Sequence, residues 1–294
     1  MESKYSIKDL ERISGIKAHT LRIWEQRYDL LQPNRTETNI RYYTNADLKR
    51  IINVSLLNNN GYKISSIAKL DDNKLIKEVE NFFNSYRKES DQIESLVLSM
   101  IDVNEQQFEN TINKSIEHFG FQNTMENIVF PFFKQLGDMW QVGIISAAQE
   151  HYISNLIRQK LIVGIDKFVS TTSELAKKYL FFLPEGELHE IGLLYTHYLT
   201  KAKGHKCYYL GQSVPFDDLK SITEGINPNF LVCIFTANPP NFNIETYLKA
   251  CNTNISNATF LVSGRLLVGP DTSVKIPDAR FKIYKDFVDF KNHI

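Results

Sequence analysis

The sequence predicts three successive domains: a winged helix-turn-helix, a helix bundle of four to five helices, and a flavodoxin-like α/β domain with a parallel five-stranded sheet. Two short amphipathic helices and a basic loop occupy residues 1–72. Residues 73–172 contain almost no Gly or Pro and carry apolar residues three or four positions apart. From residue 176, apolar strand-like runs alternate with helical segments. A chain of 294 residues is long enough for two or three such cores.

Charge is distributed unevenly along a chain that is neutral as a whole. There are 34 basic and 34 acidic residues, but residues 1–70 hold 12 Lys or Arg against 7 Asp or Glu. A basic end on an acidic body favours a polyanionic partner for that end, although ordinary domains often reach a surplus of this size.

The cysteines and the apolar runs indicate the cellular compartment that we expect for the protein. Cys207, Cys233 and Cys251 form no CxxC pair, and two of them lie in strand-like runs, which predicts buried thiols in a reducing compartment. The N-terminus has no apolar signal core, and no apolar run approaches 18 residues. We therefore expect a cytoplasmic protein with no membrane partner.

The first two helices have the spacing of a helix-turn-helix. Ser6 can cap a helix with Ile7, Leu10 and Ile13 on one face, and Gly15 ends it. A second helix over 17–27 then follows a short turn. It is expected to expose polar side chains of the kind that read bases in the major groove, namely Arg22, Glu25 and Gln26 beside Arg27 and Tyr28.

The segment after these helices predicts a small wing. Arg35 and the run Arg41–Tyr42–Tyr43 flank a polar loop, and a helix capped near Thr44 follows. Arginines on both arms can contact phosphates or a narrow minor groove. The residues alone leave open a small solvent-exposed helical domain without DNA-binding function.

The stretch "YSIKDLERISGIKAHTLRIWEQRYDLLQPNRTETNIRYYTNADLKRI" resembles the DNA-binding domain of MerR-type transcription regulators over residues 4 to about 70. The resemblance implies a double-stranded DNA operator as partner. It implies that Thr20, Arg22, Arg27 and Tyr28 lie on or beside the recognition helix, and that Arg35, Arg41 and Tyr42 belong to the wing. Residues 70–90 lack the heptads of a long dimerisation helix, so a homo-oligomer, dimer or tetramer, must form elsewhere or depend on a ligand.

We expect the helices of the bundle to be interrupted near 87–90, 102–104, 119–121 and 142–145. An unusual motif surrounds the last of these interruptions. Trp140 ends a helix, Gly143 lies in a turn, and Ser146 can cap the next helix, whose first turn holds Glu150–His151. A tryptophan with a carboxylate from the next helix can clamp a large flat molecule. The alternative is that Trp140 covers the bundle and the Glu–His pair is solvated. The bundle aromatics Phe130, Phe132 and Phe133 are expected in the core.

The C-terminal strands are predicted at "KYLFFLP", "KCYYLG", "FLVCIFTAN", "ATFLVSG" and "RFKIYKD". In open parallel sheets, ligands bind at the carboxyl ends of the strands. The unusual residues fall at those ends: Glu187 to Gly192, Gly211 to Ser213, Thr236 to Asn238, and Ser263 to Arg265.

His189 is the strongest candidate metal ligand. A histidine can give one ring nitrogen to a metal while a carboxylate fixes the other, and Glu187 is placed to do this. No second His or Cys lies nearby in sequence, so a zinc site is not expected. A single protein ligand suits a metal that already carries its own macrocycle.

The run "GELHEIG" resembles the cobalamin-binding signature Asp-x-His-x-x-Gly, and Trp140 followed by Glu150–His151 resembles the upper-face cap of CarH/CarA-type photoreceptor repressors. Those proteins have the same three domains in the same order as this chain, in which they are predicted at 1–72, 73–172 and 176–294. The resemblance implies that His189 binds the cobalt of cobalamin, in the adenosyl or another upper-ligand form, and that Trp140, Glu150 and His151 face the upper ligand. It implies that the following residues complete the site: Glu187, Gly192, Ser213, Thr236, Ser263 and Gly264.

The sequence departs from that pattern at several positions. Glu187 stands for Asp and Thr236 for Ser, while Ser263 and Arg265 flank Gly264 where two glycines are usual, so both can crowd the pocket for the nucleotide tail. Gln141 follows Trp140, where light-sensing members can have a histidine.

The expected function is that of a DNA-binding regulator, and not an enzyme. In the first hypothesis it is a repressor controlled by cobalamin bound between bundle and α/β domain, with or without a response to light. In a second, the rear domains have lost the cofactor and bind a protein or another small ligand. A remote third is a corrinoid carrier for methyl transfer.

Overall fold

The computed structural model describes residues 4–85, 89–141, 145–168, 175–237, 242–269 and 272–294. The chain divides into two compact units, 1–153 and 154–294, which are described separately. The helices of the first unit are α1 (Ile7–Ser14), α2 (Ala18–Tyr28), α3 (Asn45–Asn59), α4 (Ile64–Ile67), α5 (Asp72–Ser85), α6 (Glu89–Ile101), α7 (Glu105–Phe119), α8 (Phe121–Thr124) and α9 (Phe130–Gln141). Helix α10 (Ala147–Asp166) begins in the first unit and ends in the second.

The N-terminal part of the described chain, residues 4–72, is called the head. Its helices begin and end where the sequence predicts. Ser6 and Thr44 form capping boxes at the starts of α1 and α3, each with an aspartate three residues on. Gly15 ends α1 with φ of +71°, a left-handed conformation that glycine adopts without strain. The predicted helix-turn-helix is therefore present as α1 and α2.

A two-stranded antiparallel sheet forms the wing. Strands β1 (Asn34–Arg35) and β2 (Arg41–Tyr42) place Arg35 opposite Arg41. Tyr43, directly after β2, is fully buried and pairs with Tyr5 through backbone hydrogen bonds in both directions. Arg50 of α3 ties the base of the head together, since its guanidinium donates to the carbonyls of Leu30 and Leu70. The wing thus extends from a packed helical base.

The bundle contains a feature that helical periodicity did not predict. Helix α7 ends at the predicted break, where Gly120 has φ of +79°, and α8 then continues through a π-helical turn, Met125–Val129, into α9. Met125, Ile128, Val129 and Phe132 are buried there. Phe130 and Phe133 are only partly buried. Of the three aromatics predicted in the core, Phe132 is the one that is fully buried.

The second unit contains the predicted α/β domain. Its strands are β3 (Lys178–Pro184), β4 (Lys206–Val214), β5 (Phe230–Ile234), β6 (Thr259–Ser263) and β7 (Phe281–Ile283). Its helices after α10 are α11 (Ile191–Ala202), α12 (Phe216–Ile226), α13 (Ile244–Asn254), α14 (Arg265–Val268) and α15 (Phe287–Lys291). Within the described residues, five parallel strands pair in the order β4-β3-β5-β6-β7, which is flavodoxin-like winding. The predicted fold class is confirmed.

The sheet is covered on both faces, as its continuous apolar strands require. Six of the seven residues of β3 are buried, and the central strands β5 and β6 are buried except at their first residues. Because β3, β5 and β6 are adjacent and parallel, their carboxyl ends meet at one edge of the sheet, where the loops with the predicted site residues begin. Among the described helices, none is long and apolar enough to span a bilayer.

The cysteines are free thiols, as predicted. Cys233 and Cys251 are buried and Cys207 is partly buried. Burial raises the pKa of Cys207 and of Cys251 to about 12, so both thiols remain protonated at neutral pH.

Candidate functional site

Helix α2 presents a basic, solvent-exposed face in the head. Arg22 and Arg27 are exposed, while Thr20 and Tyr28 are partly buried. The Arg27 guanidinium lies 5.5 Å from the centre of the Tyr28 ring, so the two side chains form one surface. Leu21 and Trp24 point the other way into the core. The opposite placement of these two sets leaves the arginines available to a polyanion.

The wing adds a second basic surface. Arg35 and Arg41 are exposed on the paired strands, and Arg35 donates a hydrogen bond to the Asn39 side chain at 2.6 Å. The Tyr42 ring is partly buried, with the Lys4 ammonium 4.7 Å from its centre. Arginines on both strands can contact phosphates on either side of a groove.

One residue expected on the exposed face of α2 has a different role. Glu25 is partly buried, and its carboxylate accepts a hydrogen bond from the Tyr43 hydroxyl. A negative charge facing DNA would oppose binding, and this contact turns Glu25 toward the wing base. Burial raises the pKa of Tyr43 well above its usual value, and the Glu25 hydrogen bond adds to the effect.

The Trp–Glu–His motif lies in the first unit, with the elements the sequence predicts. Trp140, near the end of α9, is 58% exposed. Ser146 and Gln149 cap α10 through reciprocal hydrogen bonds. In the first turn of α10, Nδ1 of His151 lies 2.9 Å from Oε2 of Glu150. Gly143 lies outside the described residues.

The loop after β3 holds His189 in a defined orientation. Nδ1 of His189 lies 2.6 Å from Oε1 of Glu187. Because a carboxylate can only accept hydrogen bonds, the ring must donate from Nδ1. This assigns Nε2 as the nitrogen that can bind a metal, the arrangement of many carboxylate–histidine–metal sites. The His189 side chain is 59% exposed, whereas that of Glu187 is 1% exposed.

Glu187 is fixed by the neighbouring strand as well. Its Oε2 accepts hydrogen bonds from the backbone N–H groups of Thr236 and Ala237, at 2.8 and 2.7 Å. Burial raises the pKa of Glu187, but the hydrogen bonds from His189, Ala237 and Thr236 outweigh it and bring the pKa to about 2. The carboxylate is thus ionised and rigid over the physiological range.

Other predicted site residues surround the same loop. Ser213, at φ of +51°, accepts a hydrogen bond from Gly186 N–H through its hydroxyl and donates its own N–H to the Glu187 carbonyl. A Cβ at Gly192 would lie 3.2 Å from the Ile234 side chain, so a larger residue would require that side chain to shift. Asn238 lies outside the described residues.

The last two predicted positions are Ser263, the final residue of β6, and Gly264, directly after it. Gly264 has φ of +104°, and a Cβ there would lie 2.3 Å from the Phe235 carbonyl oxygen, so the position accepts only glycine. The Ser263 hydroxyl is buried and donates to the Tyr284 carbonyl at 2.7 Å, and Arg265 is exposed at the start of α14. The hydroxyl of Ser263 is thus used within the fold.

A second buried carboxylate in the His189 loop was not predicted from the sequence. Glu190 is 4% exposed and contacts Arg158 and Tyr209. These partners lie 32 and 19 residues away along the chain, so no local spacing could have indicated them. Among the described residues, no group of three or more His, Cys, Asp or Glu side chains could hold a metal ion.

Comparison with known proteins finds matches for two segments of the chain. Residues 5–74 match the MerR HTH family regulatory proteins, and residues 92–163 match a B12 binding domain. The HTH-type transcriptional repressor CarH of Myxococcus xanthus is 25% identical over 237 residues, which cover 78% of each chain. The repressor CarA of the same organism is 25% identical over 252 residues, covering 83% of this chain and 82% of CarA.

A solved structure shares the fold at lower sequence identity. The monomethylamine corrinoid protein of Methanosarcina barkeri superposes with a TM-score of 0.56 at 12% identity, covering 70% of this chain and 98% of the other.

These findings define the chain as a DNA-binding regulator of the MerR type that carries a B12-binding domain. More particularly, it is homologous to the transcriptional repressors CarH and CarA over most of its length. These named relatives are regulators and not enzymes.

Proposed function

We propose that this chain is a transcriptional repressor whose hold on operator DNA is controlled by cobalamin. The α2 face and the wing bind the DNA. His189 would bind the cobalt, and Trp140, Glu150 and His151 would contact the cofactor as well. Binding of the cofactor changes how chains associate, and therefore how many heads act on one operator. Two linked heads bind more tightly than one without any new contact.

The contact between Glu187 and His189 is the observation that carries this proposal. When bound, cobalamin would supply a cobalt ion that its own macrocycle holds, for which a single protein ligand would be enough. The residues fit that group in three respects. The imidazole ring is largely exposed, its Nδ1 is bound by a buried ionised carboxylate, and the loop lies at the carboxyl edge of a parallel sheet, where ligands bind.

Each site residue has a distinct part. Glu187 holds the proton of the neutral imidazole on Nδ1, so the lone pair for a metal is on Nε2, and the carboxylate makes that nitrogen more basic. The Trp140 ring is exposed and can stack on a flat ligand or its adenine-like substituent. Glu150 can accept hydrogen bonds from ligand hydroxyls. Ser213 and Thr236 line the way to the pocket for the nucleotide tail, and Gly264 keeps the backbone close there.

Cofactor occupancy, and not light, is the signal in this proposal. Gln141 stands beside Trp140 where light-sensing members can have a histidine, and a carboxamide is a poor ligand for cobalt. A response to light is therefore an outcome to be tested, with the dark and illuminated samples compared side by side.

The experiment uses the full chain and duplexes that it selects from a random DNA library. We expect adenosylcobalamin in the dark to change the affinity for the selected duplex by at least about tenfold, the scale of common allosteric couplings. His189→Ala should bind the same duplex without responding to the cofactor. Equal affinity with and without adenosylcobalamin, in a wild-type sample that has taken up the corrin, would contradict control by cobalamin while leaving DNA binding intact.

A further inference from the structure

The residue next to His189 is a buried carboxylate that the proposed function does not use. Glu190 is 4% exposed, although carboxylates are rarely buried unless paired. Nε of Arg158 lies 2.5 Å from its Oε1, and the Tyr209 hydroxyl donates to its Oε2 at 2.8 Å. Both oxygens of the carboxylate are therefore bound, one by a residue of α10 and one by a residue of β4.

The tyrosine in this contact is itself held in place. The Tyr209 ring stacks on the His197 ring of α11, with centroids 5.1 Å apart and planes at 16°. Burial lowers the pKa of His197 to about 4, and Lys201 contributes, so this imidazole is neutral at physiological pH. The positive charge that faces Glu190 in this group therefore comes from Arg158.

The two contacts of Glu190 complete a clamp around His189. On one side, Glu187 is bound by the backbone of Thr236 and Ala237 after β5. On the other side, Glu190 is bound by Arg158 and Tyr209. The loop from 187 to 190 is thus fixed at both ends by buried carboxylates, and His189 lies between them. The orientation of the imidazole depends on both attachments.

Arg158 lies on α10, so its ion pair with Glu190 attaches the His189 loop to this helix. We propose that Arg158 and Glu190 are positioning residues: they hold the His189 loop to α10 and so set the orientation of the cobalt ligand. This inference rests on the proposed function.

The test compares adenosylcobalamin binding by the full chain in two backgrounds, in the dark. If Arg158 acts through His189, Arg158→Gln should weaken binding about 10-fold or more, the usual effect of losing an outer partner of a metal ligand. In a chain that already carries His189→Ala, the same change should have no further effect. Gln159→Ala, an exposed neighbour on α10, is the matched control and should bind like the wild type. Equal losses from Arg158→Gln in both backgrounds would overturn the positioning role.

A second measurement needs no cofactor. Amide hydrogen exchange over residues 188–192 should be faster in Arg158→Gln than in the wild type, and Arg158→Lys should restore part of the protection. Unchanged exchange would show that Arg158 does not hold the loop. If the wild type took up no corrin, the proposed function would fail, while this exchange result would still decide whether Arg158 holds the loop.

Discussion

Nδ1 of His189 lies 2.6 Å from a carboxylate oxygen of Glu187, and the other oxygen of that carboxylate is held by two backbone N–H groups after the neighbouring strand. The imidazole is therefore oriented by a side chain that cannot move independently of the sheet. The site depends on this relationship, because a metal ligand must be both deprotonated at the binding nitrogen and fixed in direction.

Glu187→Gln should weaken cobalamin binding. The amide has nearly the shape of the carboxylate but only one accepting oxygen, which the N–H groups of Thr236 and Ala237 need, so its NH2 group faces Nδ1 of His189 and no longer holds the proton there. We expect a loss of about 10- to 100-fold in affinity, measured by titration with adenosylcobalamin in the dark. Glu185→Gln, at an exposed position of the same loop, is the control. Unaltered affinity in Glu187→Gln would show that the carboxylate does not support the ligand.

The Glu187 contacts also predict sensitivity to acid. The pKa of Glu187 is about 2 in the folded chain, below its ordinary value of 4.5, so its ionised form stabilises the fold. This contribution is complete above pH 4.5 and is lost as the pH falls toward 2. The melting temperature of the wild type should therefore fall more steeply than that of Glu187→Gln over this window. Parallel curves for the two proteins would contradict this assignment.

A buried acid in the first unit predicts the opposite pH dependence. Glu94 of α6 lines a small cavity with Ser55 and Gln135, and its Oε2 has no hydrogen-bond partner within the described residues. Burial raises the pKa of Glu94 to about 8, and the Asp91 charge adds to the shift. Because the folded pKa lies above the unfolded value, stability falls as the pH rises from 4.5 to 8.

Glu94→Gln should remove that dependence. The amide mimics the protonated acid, so we expect the variant to be more stable than the wild type by up to a few kcal/mol at pH 8 and nearly equal to it at pH 5. Thermal unfolding of the full chain at both pH values measures the difference. Equal stability at pH 8 would mean that the folded chain tolerates ionised Glu94.

Gly264→Ala should destabilise the α/β domain. The new Cβ would lie 2.3 Å from the Phe235 carbonyl oxygen, at φ of +104°, so the backbone must shift. We expect a loss of roughly 1–3 kcal/mol or more, measured by urea denaturation. Gly225→Ala, in α12 with open space around the position, is the control and should be neutral or slightly stabilising. Similar behaviour of the two variants would contradict the close approach at Gly264.

Arg41→Ala should weaken DNA binding chiefly at low salt. If the exposed guanidinium contacts a phosphate, its loss lowers affinity for any duplex and reduces the slope of log affinity against log salt by about 1. Binding of the full chain to random-sequence duplex between about 50 and 200 mM salt measures this slope. Lys167→Ala removes an exposed positive charge outside the head and should leave the slope unchanged. An unaltered slope in Arg41→Ala would remove the wing from the interface.

The sequence predicted the features that depend on local pattern. Continuous apolar runs indicated the buried strands, and the spacing of Glu187 and His189 indicated their contact. The features it did not predict depend on packing between distant segments. The hydrogen bond between Glu25 and Tyr43 joins residues 18 apart, and the ion pair between Arg158 and Glu190 joins residues 32 apart. Periodicity carries no information about such pairs.

The most direct test is the absorption spectrum of the full chain after mixing with adenosylcobalamin and removing unbound cofactor, in the dark and after illumination. The wild type should retain the corrin with the spectrum of a histidine-ligated cobalt, and His189→Ala should lose that signature whether or not it retains corrin. The same histidine-ligated spectrum in His189→Ala, or no retained corrin in a folded wild-type sample at micromolar cofactor, would contradict ligation by His189.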